Sequence, residues 1–244
     1  MAYSLIKNEQ GNRREVVGEM IEFPVSGGSI NGYEAVPELG GGPGVVVIQE
    51  WWGLVDHIKD VCDRFAAAGF VALAPDLFHG KTTKSPDEAG KLMMALRIDE
   101  AEKELEGAVD YLLKHDAVTS NKIGVVGFCM GGALSLYTAT KNPNIGACVV
   151  FYGGHPKVKP DLPNLHAPVL GLYAEKDGFV TPASVRELES KVKSLGKEIE
   201  TVIYPGTDHA FFNDSRPEVY NEEAAANAWQ RTLEFLKHRL QRSA

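Results

Sequence analysis

The feature that most limits the fold is a series of short apolar runs, each followed by a segment with helical spacing. The runs are GVVVIQ (44–49), FVALAP (70–75), KIGVVGF (122–128), GACVVFYG (146–153), PVLGLYAEKD (168–177) and EIETVIYPG (198–206). GVVVIQ is a continuous β-branched run rather than an alternating one, the pattern of a strand covered on both faces. Between them, VDHIKDVCDRFAAAG ends in Gly69, a C-cap residue type, and Ser85–His115 carries one or two helices. The charged stretch Asp99–Glu106 reads as a solvated face. GGALSLYTATK is helical, TPASVRELESKVKSLG has Thr181 placed to cap and Pro182 at the first turn, and Glu218–Gln241 is a final helix. Two polar-alternating segments, Glu19–Val25 and Ser29–Val36, precede all of this. Ser26-Gly27-Gly28 joins them as a β-hairpin. Strands separated by helices imply crossover connections and a mostly parallel sheet with helices on both faces. No linker interrupts the pattern, so residues 1–244 read as a single α/β domain.

Charge and cysteine usage narrow the function classes. The 244 residues carry a formal charge of −8, the wrong sign for nucleic acid or an anionic membrane as main partner. Cys62, Cys129 and Cys148 are few, far apart and odd in number, and fit neither a disulfide framework nor a zinc site. The start, MAYSLIKNEQGNRREVV, lacks the apolar core of a signal peptide, and no run of about 18 apolar residues is present. The reading is therefore a cytoplasmic protein in which a free thiol persists.

In a parallel α/β sheet, ligands gather at the carboxyl ends of the strands. Four of the loops there hold unusual residues. GFCMGG (127–132) has the G-x-nucleophile-x-G form, with Gly127 and Gly131 flanking Cys129 at the start of a helix. A thiol there is either a small packed residue at a turn or a nucleophile activated by the helix N-terminus. Asp177, in YAEKDGFVTP, is a turn aspartate or the partner of an imidazole. His209, in YPGTDHAFFND, is a loop histidine or a base. Taken together, nucleophile, acid and histidine follow three successive strands in the chain order of an α/β-hydrolase triad. The fourth loop, VVVIQEWWGL, ends a buried strand with Glu50. In this architecture the backbone N–H groups of Trp51 and Met130 face a developing oxyanion.

The segments GGSINGYEAVPE, GVVVIQEWWGL, ALAPDLFHG, KIGVVGFCMGG, AEKDGFVTP and GTDHAFFN occur in an order and spacing that resemble the dienelactone hydrolase family, the carboxymethylenebutenolidases, from about Glu19 to Leu240. The resemblance implies an α/β-hydrolase fold and cofactor-free hydrolysis. It implies a triad of Cys129, Asp177 and His209, and a Glu50 that contacts the resting thiol and helps deliver the thiolate. It implies oxyanion-hole positions at Trp51 and Met130. One departure concerns the substrate. Family members acting on dienelactone hold its carboxylate with two arginines; at the matching places this chain has Asn213 and, near the other, only His79 and Lys81. Neither lysine nor asparagine reproduces a bidentate guanidinium, so the reaction class is implied more firmly than dienelactone itself. Arg97 and Arg216 are the arginines left to replace the clamp. Trp52, Lys81, Tyr152 and Phe211 are candidate substrate contacts.

The resulting expectation is a monomer or small homo-oligomer hydrolysing a small ester or lactone through a Cys129 thioester, with no metal, nucleic acid or membrane involved. Two other classes stay open on sequence grounds: a non-catalytic binding protein on the same scaffold, and a thiol redox protein in which Cys62 or Cys148 meets Cys129.

Overall fold

The structure, a computed structural model, describes residues 17–38 and 40–240. The first sixteen residues read above for a leader, Leu39 of the ELGGGPG loop and the terminal Gln241 assigned to the last helix lie outside it. Eight strands form one sheet in the order β1-β2-β4-β3-β5-β6-β7-β8. β1 (Glu19–Val25) and β2 (Gly28–Ala35) are the hairpin, closed in register Val25↔Gly28 around Gly27 at φ +95°. Gly28 thus starts β2 rather than belonging to the turn. β2 joins antiparallel to β4 (Val71–Pro75). The remaining strands β3 (Gly44–Ile48), β5 (Ile123–Phe128), β6 (Ile145–Phe151), β7 (Val169–Ala174) and β8 (Ile199–Tyr204) run parallel with their neighbours.

The continuous apolar runs are sealed on both faces. Every residue of β3, β4, β5 and β7 is buried. The covering helices are α1 (Asp56–Ala67), α3 (Ile98–Lys114), α4 (Met130–Lys141), α5 (Pro182–Ser194) and α6 (Glu222–Leu240). A shorter helix, α2 (Pro86–Ala95), buries only Ala89. Ser85–His115 is therefore two helices, and the last helix begins at Glu222, four residues later than its pattern suggested. Thr181 caps α5 by accepting the Ser184 N–H at 3.2 Å. The solvated face expected at Asp99–Glu106 is wrong at Glu104. That side chain is buried and meets His79 Nε2 at 2.8 Å, because the loop after β4 folds back over α3. Among the described residues, no helix is long and apolar enough to cross a membrane.

The topology brings the ends of β3, β5, β6, β7 and β8 to one edge of the molecule. Strained backbone collects there. Among the described residues, four that are not glycine have positive φ: His79 (53°), Cys129 (54°), Tyr152 (39°) and Ala210 (67°). Each follows a parallel strand at its carboxyl end. Such conformations persist only where the surroundings impose them, and they collect at functional sites.

Candidate active site

The turn at Cys129 is set by what surrounds it. A Cβ added to Gly127 would lie 2.0 Å from the Gly131 carbonyl oxygen, and one added to Gly131 would lie 2.3 Å from that of Ile48. At Gly132 it would meet the Gly153 Cα at 2.7 Å. Only glycine allows β5 to pass this tightly into α4 beside the end of β3. The Cys129 N–H donates to the Phe151 carbonyl at 3.0 Å, and its own carbonyl accepts from Gly132 at 3.0 Å and Gly154 at 3.2 Å. These bonds hold a residue whose φ of 54° and ψ of −117° suit no regular element. Beneath it, Phe128 stacks on Phe151 at 4.6 Å and on Phe212 at 5.3 Å, and Phe151 meets Phe212 at 4.8 Å. Each such pair contributes about 0.5–1.5 kcal/mol beyond the area it buries. The cluster thereby joins the loops after β5, β6 and β8.

Asp177 and His209 meet at the next strand ends. Asp177 Oδ1 accepts the N–H groups of Phe179 and Val180, each at 2.8 Å, which turns the chain into α5. Oδ2 is left for His209 Nδ1, at 2.6 Å. The two loops are tied together by the Lys176 N–H to the Thr207 carbonyl at 2.9 Å and the Gly206 N–H to Glu175 Oε2 at 2.7 Å. Burial of Asp177 works against its charge, but the imidazole and the two backbone donors outweigh burial and hold its pKa below the usual carboxylate range. Burial pulls the His209 pKa down. Hydrogen bonding to Asp177 and to Cys129, with the charge interaction of both, outweighs this and raises it to about 10. The imidazole is thus coupled to the acid on one side and the thiol on the other.

Glu50 is buried at the end of β3. Among the described residues its hydrogen bonds run to the Tyr152 hydroxyl at 3.3 Å and the Asn213 amide at 2.7 Å. The thiol contact implied by the family is not among them. Tyr152 is fully buried, with its ring 5.0 Å from that of His209. Its phenol pKa is pushed well up by burial and by the nearby charges of Glu50 and Cys129. Trp51 and Trp52 meet edge to face at 5.1 Å and are partly exposed. The Trp51 amide has no backbone acceptor among the described residues, and that of Met130 opens α4.

The remaining sequence candidates divide. Lys81 is exposed and borders a separate cavity of about 240 Å³ between α2 and α3, together with Phe78, Leu92 and Arg97. None of Cys129, Asp177, His209 or Glu50 lines that cavity, although the backbone of the loop after β4 packs on Trp52 and Gly53 through the Thr83 N–H to the Trp52 carbonyl at 3.1 Å. Phe211 is fully buried against Tyr152 at 5.6 Å and Tyr204 at 5.0 Å, and so acts as core beneath the site. Asn213 stands where the family's second arginine would be, and it engages Glu50. Arg216, three residues later, pairs with Glu218 at 2.7 Å, lies with its guanidinium 5.6 Å from the Trp52 ring centre, and its charge reaches the Tyr152 hydroxyl. Arg97 instead pairs with Asp99 and Glu100 on the surface. Sequence reasoning passed over His57 altogether, because a histidine at helical spacing in an amphipathic segment carries no local signal.

A mostly parallel eight-stranded sheet, a glycine-flanked turn of positive φ after its fifth strand and a histidine–carboxylate pair beyond the seventh and eighth define an α/β-hydrolase fold. The dienelactone hydrolase family profile matches residues 30–240, and the chain belongs to that family. It is 43% identical over 231 residues to "Protein usf" of Aquifex pyrophilus, covering 92% of this chain and 100% of that one. It is 36% identical over 228 residues to a "Putative carboxymethylenebutenolidase" of Aquifex aeolicus, covering 91% and 98%. The crystal structure titled "Putative Dienelactone Hydrolase" from Klebsiella pneumoniae superposes with a TM-score of 0.83 at 30% identity, covering 91% of this chain and 98% of that one. The protein is a dienelactone hydrolase-like hydrolase.

Proposed function

We propose that the protein hydrolyses small carboxylic esters or lactones with Cys129 as nucleophile, His209 as general acid and base, and Asp177 orienting the imidazole. The observation that carries this reading is the strained Cys129 elbow coupled to a His209 whose other nitrogen is 2.6 Å from Asp177. The Cys129 sulfur attacks the carbonyl carbon, and the resulting oxyanion takes hydrogen bonds from the Trp51 and Met130 amides. Each such donor stabilises the transition state by about 3–4 kcal/mol. As the carbonyl re-forms, the bond to the alkoxide breaks and His209 donates its Nε2 proton to the leaving oxygen. Water then gives a proton back to His209 and attacks the thioester, releasing acid and thiolate. An alkoxide leaves more readily than an amide nitrogen, which directs the chemistry to esters rather than peptides. The Asp177 carboxylate keeps the N–H on Nδ1, so that Nε2 faces the sulfur.

Arg216 over Trp52, paired with the exposed Glu218 carboxylate, supports acceptance of substrates that carry a carboxylate able to share or take over that pairing, the chemistry of a carboxymethylenebutenolidase. The test is kinetics of the wild type, Cys129→Ala and Arg216→Ala on p-nitrophenyl esters and on lactones with and without a carboxylate. Cys129→Ala is expected to abolish turnover of all of them. Arg216→Ala is expected to raise KM about tenfold for carboxylate-bearing substrates alone. Full activity of Cys129→Ala would overturn the mechanism.

A further inference from the structure

A second histidine–carboxylate pair lies behind the first. His57, in the first turn of α1, is buried with its side chain 1% exposed, and its Nδ1 is 3.1 Å from Asp214 Oδ1. The two residues are 157 positions apart. The bond assigns the ring N–H to Nδ1, and the hydrogen bond from His57 is the leading cause that holds the Asp214 carboxyl below the ordinary range. The other nitrogen, Nε2, is buried with no partner among the described residues. The imidazole sits edge-on to Phe128 at 6.4 Å and Phe212 at 6.3 Å. Phe128 immediately precedes Cys129, and Phe212 is three residues beyond His209.

The contacts form a path to the site. Asp214 follows Asn213, whose amide holds the Glu50 carboxylate at 2.7 Å. The Asn213 amide oxygen accepts the Ser215 N–H at 3.1 Å and hydroxyl at 2.6 Å, so its side-chain orientation is fixed by this stretch of loop. The neighbours facing Asp214 are Arg64, which also lies 5.0 Å over the Phe212 ring, Asp60 and the Tyr220 phenol. His57 therefore touches the residue before the nucleophile, packs on the loop of the base, and anchors the residue next to the Glu50 partner.

Packing alone does not explain this histidine. An aromatic hydrocarbon ring would fill the same space between Phe128 and Phe212 but could not hold the Asp214 carboxylate, so the histidine adds a tie between α1 and the loop of the base that packing does not need. We infer that His57 and Asp214 are positioning residues for the hydrolysis: their bond fixes the loop from His209 to Arg216, and through Asn213 it fixes the Glu50 carboxylate that bonds Tyr152 beside His209. The inference rests on the reading of Cys129 and His209 as nucleophile and base.

Two variants of one residue separate positioning from packing. His57→Phe keeps the ring and loses the bond. His57→Asn loses the ring but keeps an amide N–H near the place of Nδ1. The expectation is that His57→Phe melts at or above the wild-type temperature, yet loses about tenfold in kcat on a p-nitrophenyl ester with KM unchanged, the size of effect that small misplacements of reacting groups produce. His57→Asn is expected to melt lower but to stay within about threefold of wild-type kcat. Asp214→Ala, at a half-exposed position that folding tolerates, is expected to match the loss of His57→Phe, and the double variant to be no worse than either single one, since the two act as a unit. Wild-type kcat in both His57→Phe and Asp214→Ala would overturn the inference, as would additive losses in the double variant. If Cys129→Ala is inactive while these variants are fully active, the inference fails and the mechanism stands. If Cys129→Ala is active, the mechanism itself fails.

Discussion

Cys129 and Cys148 lie on neighbouring stretches of the sheet and have the same side chain, but the fold treats them differently. Cys148 sits within β6, paired in register with Val125 and Val169, fully buried, and burial pushes its thiol pKa far up. Cys62, inside α1, is equally sealed, and burial again raises its thiol, with Asp63 and Asp60 adding to the effect. Cys129 is 8% exposed, held at positive φ, at the first turn of a helix and coupled to His209. A strand position removes a thiol from chemistry, whereas a glycine-flanked turn at the end of a strand presents one. Cys148 bears on the redox alternative as well. It lies inside the ladder, and all three cysteines are free thiols.

The widest separation between these thiols is expected in activity. Cys129→Ala should lose about 10⁴-fold or more in kcat on p-nitrophenyl esters, as removal of a nucleophile does elsewhere, and Cys148→Ala should retain wild-type kcat. Asp177→Asn is expected to cost about 10³–10⁴-fold in kcat with little change in KM, because the amide admits the wrong imidazole tautomer. Loss of activity in Cys148→Ala, or retention in Asp177→Asn, would collapse the distinction. In labelling, iodoacetamide at neutral pH is expected to modify Cys129 at least about 100-fold faster than Cys62 or Cys148, whose reaction has to wait for local unfolding. Peptide mass mapping over time reads this directly.

A smaller effect concerns pH and stability. His209 has its pKa raised by folding to about 10 from an ordinary value of 6.5. The proton is held more tightly in the native state. The group therefore stabilises the fold fully below about pH 6.5, and that contribution falls as pH rises through about 10. The melting temperature of the wild type should exceed that of His209→Gln most at pH 6, and the gap should close towards pH 10. A gap that widens with pH would have the wrong sign. The smallest effect is purely structural: Cys148→Ser buries a hydroxyl inside the ladder and is expected to cost about 1–3 kcal/mol in denaturant unfolding, with kcat unchanged.

The distinction between these cysteines was partly legible in the chain. The alternation of continuous apolar runs with helical patterns reveals the sheet, because strands covered on both faces cannot alternate. Gly127 and Gly131 reveal the elbow, because any larger residue collides with backbone. What the sequence conceals are contacts between residues far apart. Glu50 and Asn213 are separated by 163 positions, and nothing local tells that an asparagine at an arginine's place turns inward to bond a carboxylate. Glu104 looked like part of a charged helical face until the loop carrying His79 folded onto it. Lys81 and Phe211 were near the right segments, but the first turns towards another cavity and the second into the core, and side-chain direction at loop ends is set by tertiary packing. Arg216 had no motif to mark it. Only the return of its loop to Trp52 does so.

The intermediate that distinguishes this mechanism is a covalent bond between substrate and Cys129. The most direct measurement mixes the protein with p-nitrophenyl acetate, quenches with acid within the first turnovers, and maps the added acetyl group by mass spectrometry. One acetyl is expected on the peptide containing Cys129, removed by neutral hydroxylamine as a thioester is, and absent from Cys129→Ala. Turnover with the acetyl on another residue, or undiminished turnover by Cys129→Ala with no adduct at all, would contradict it.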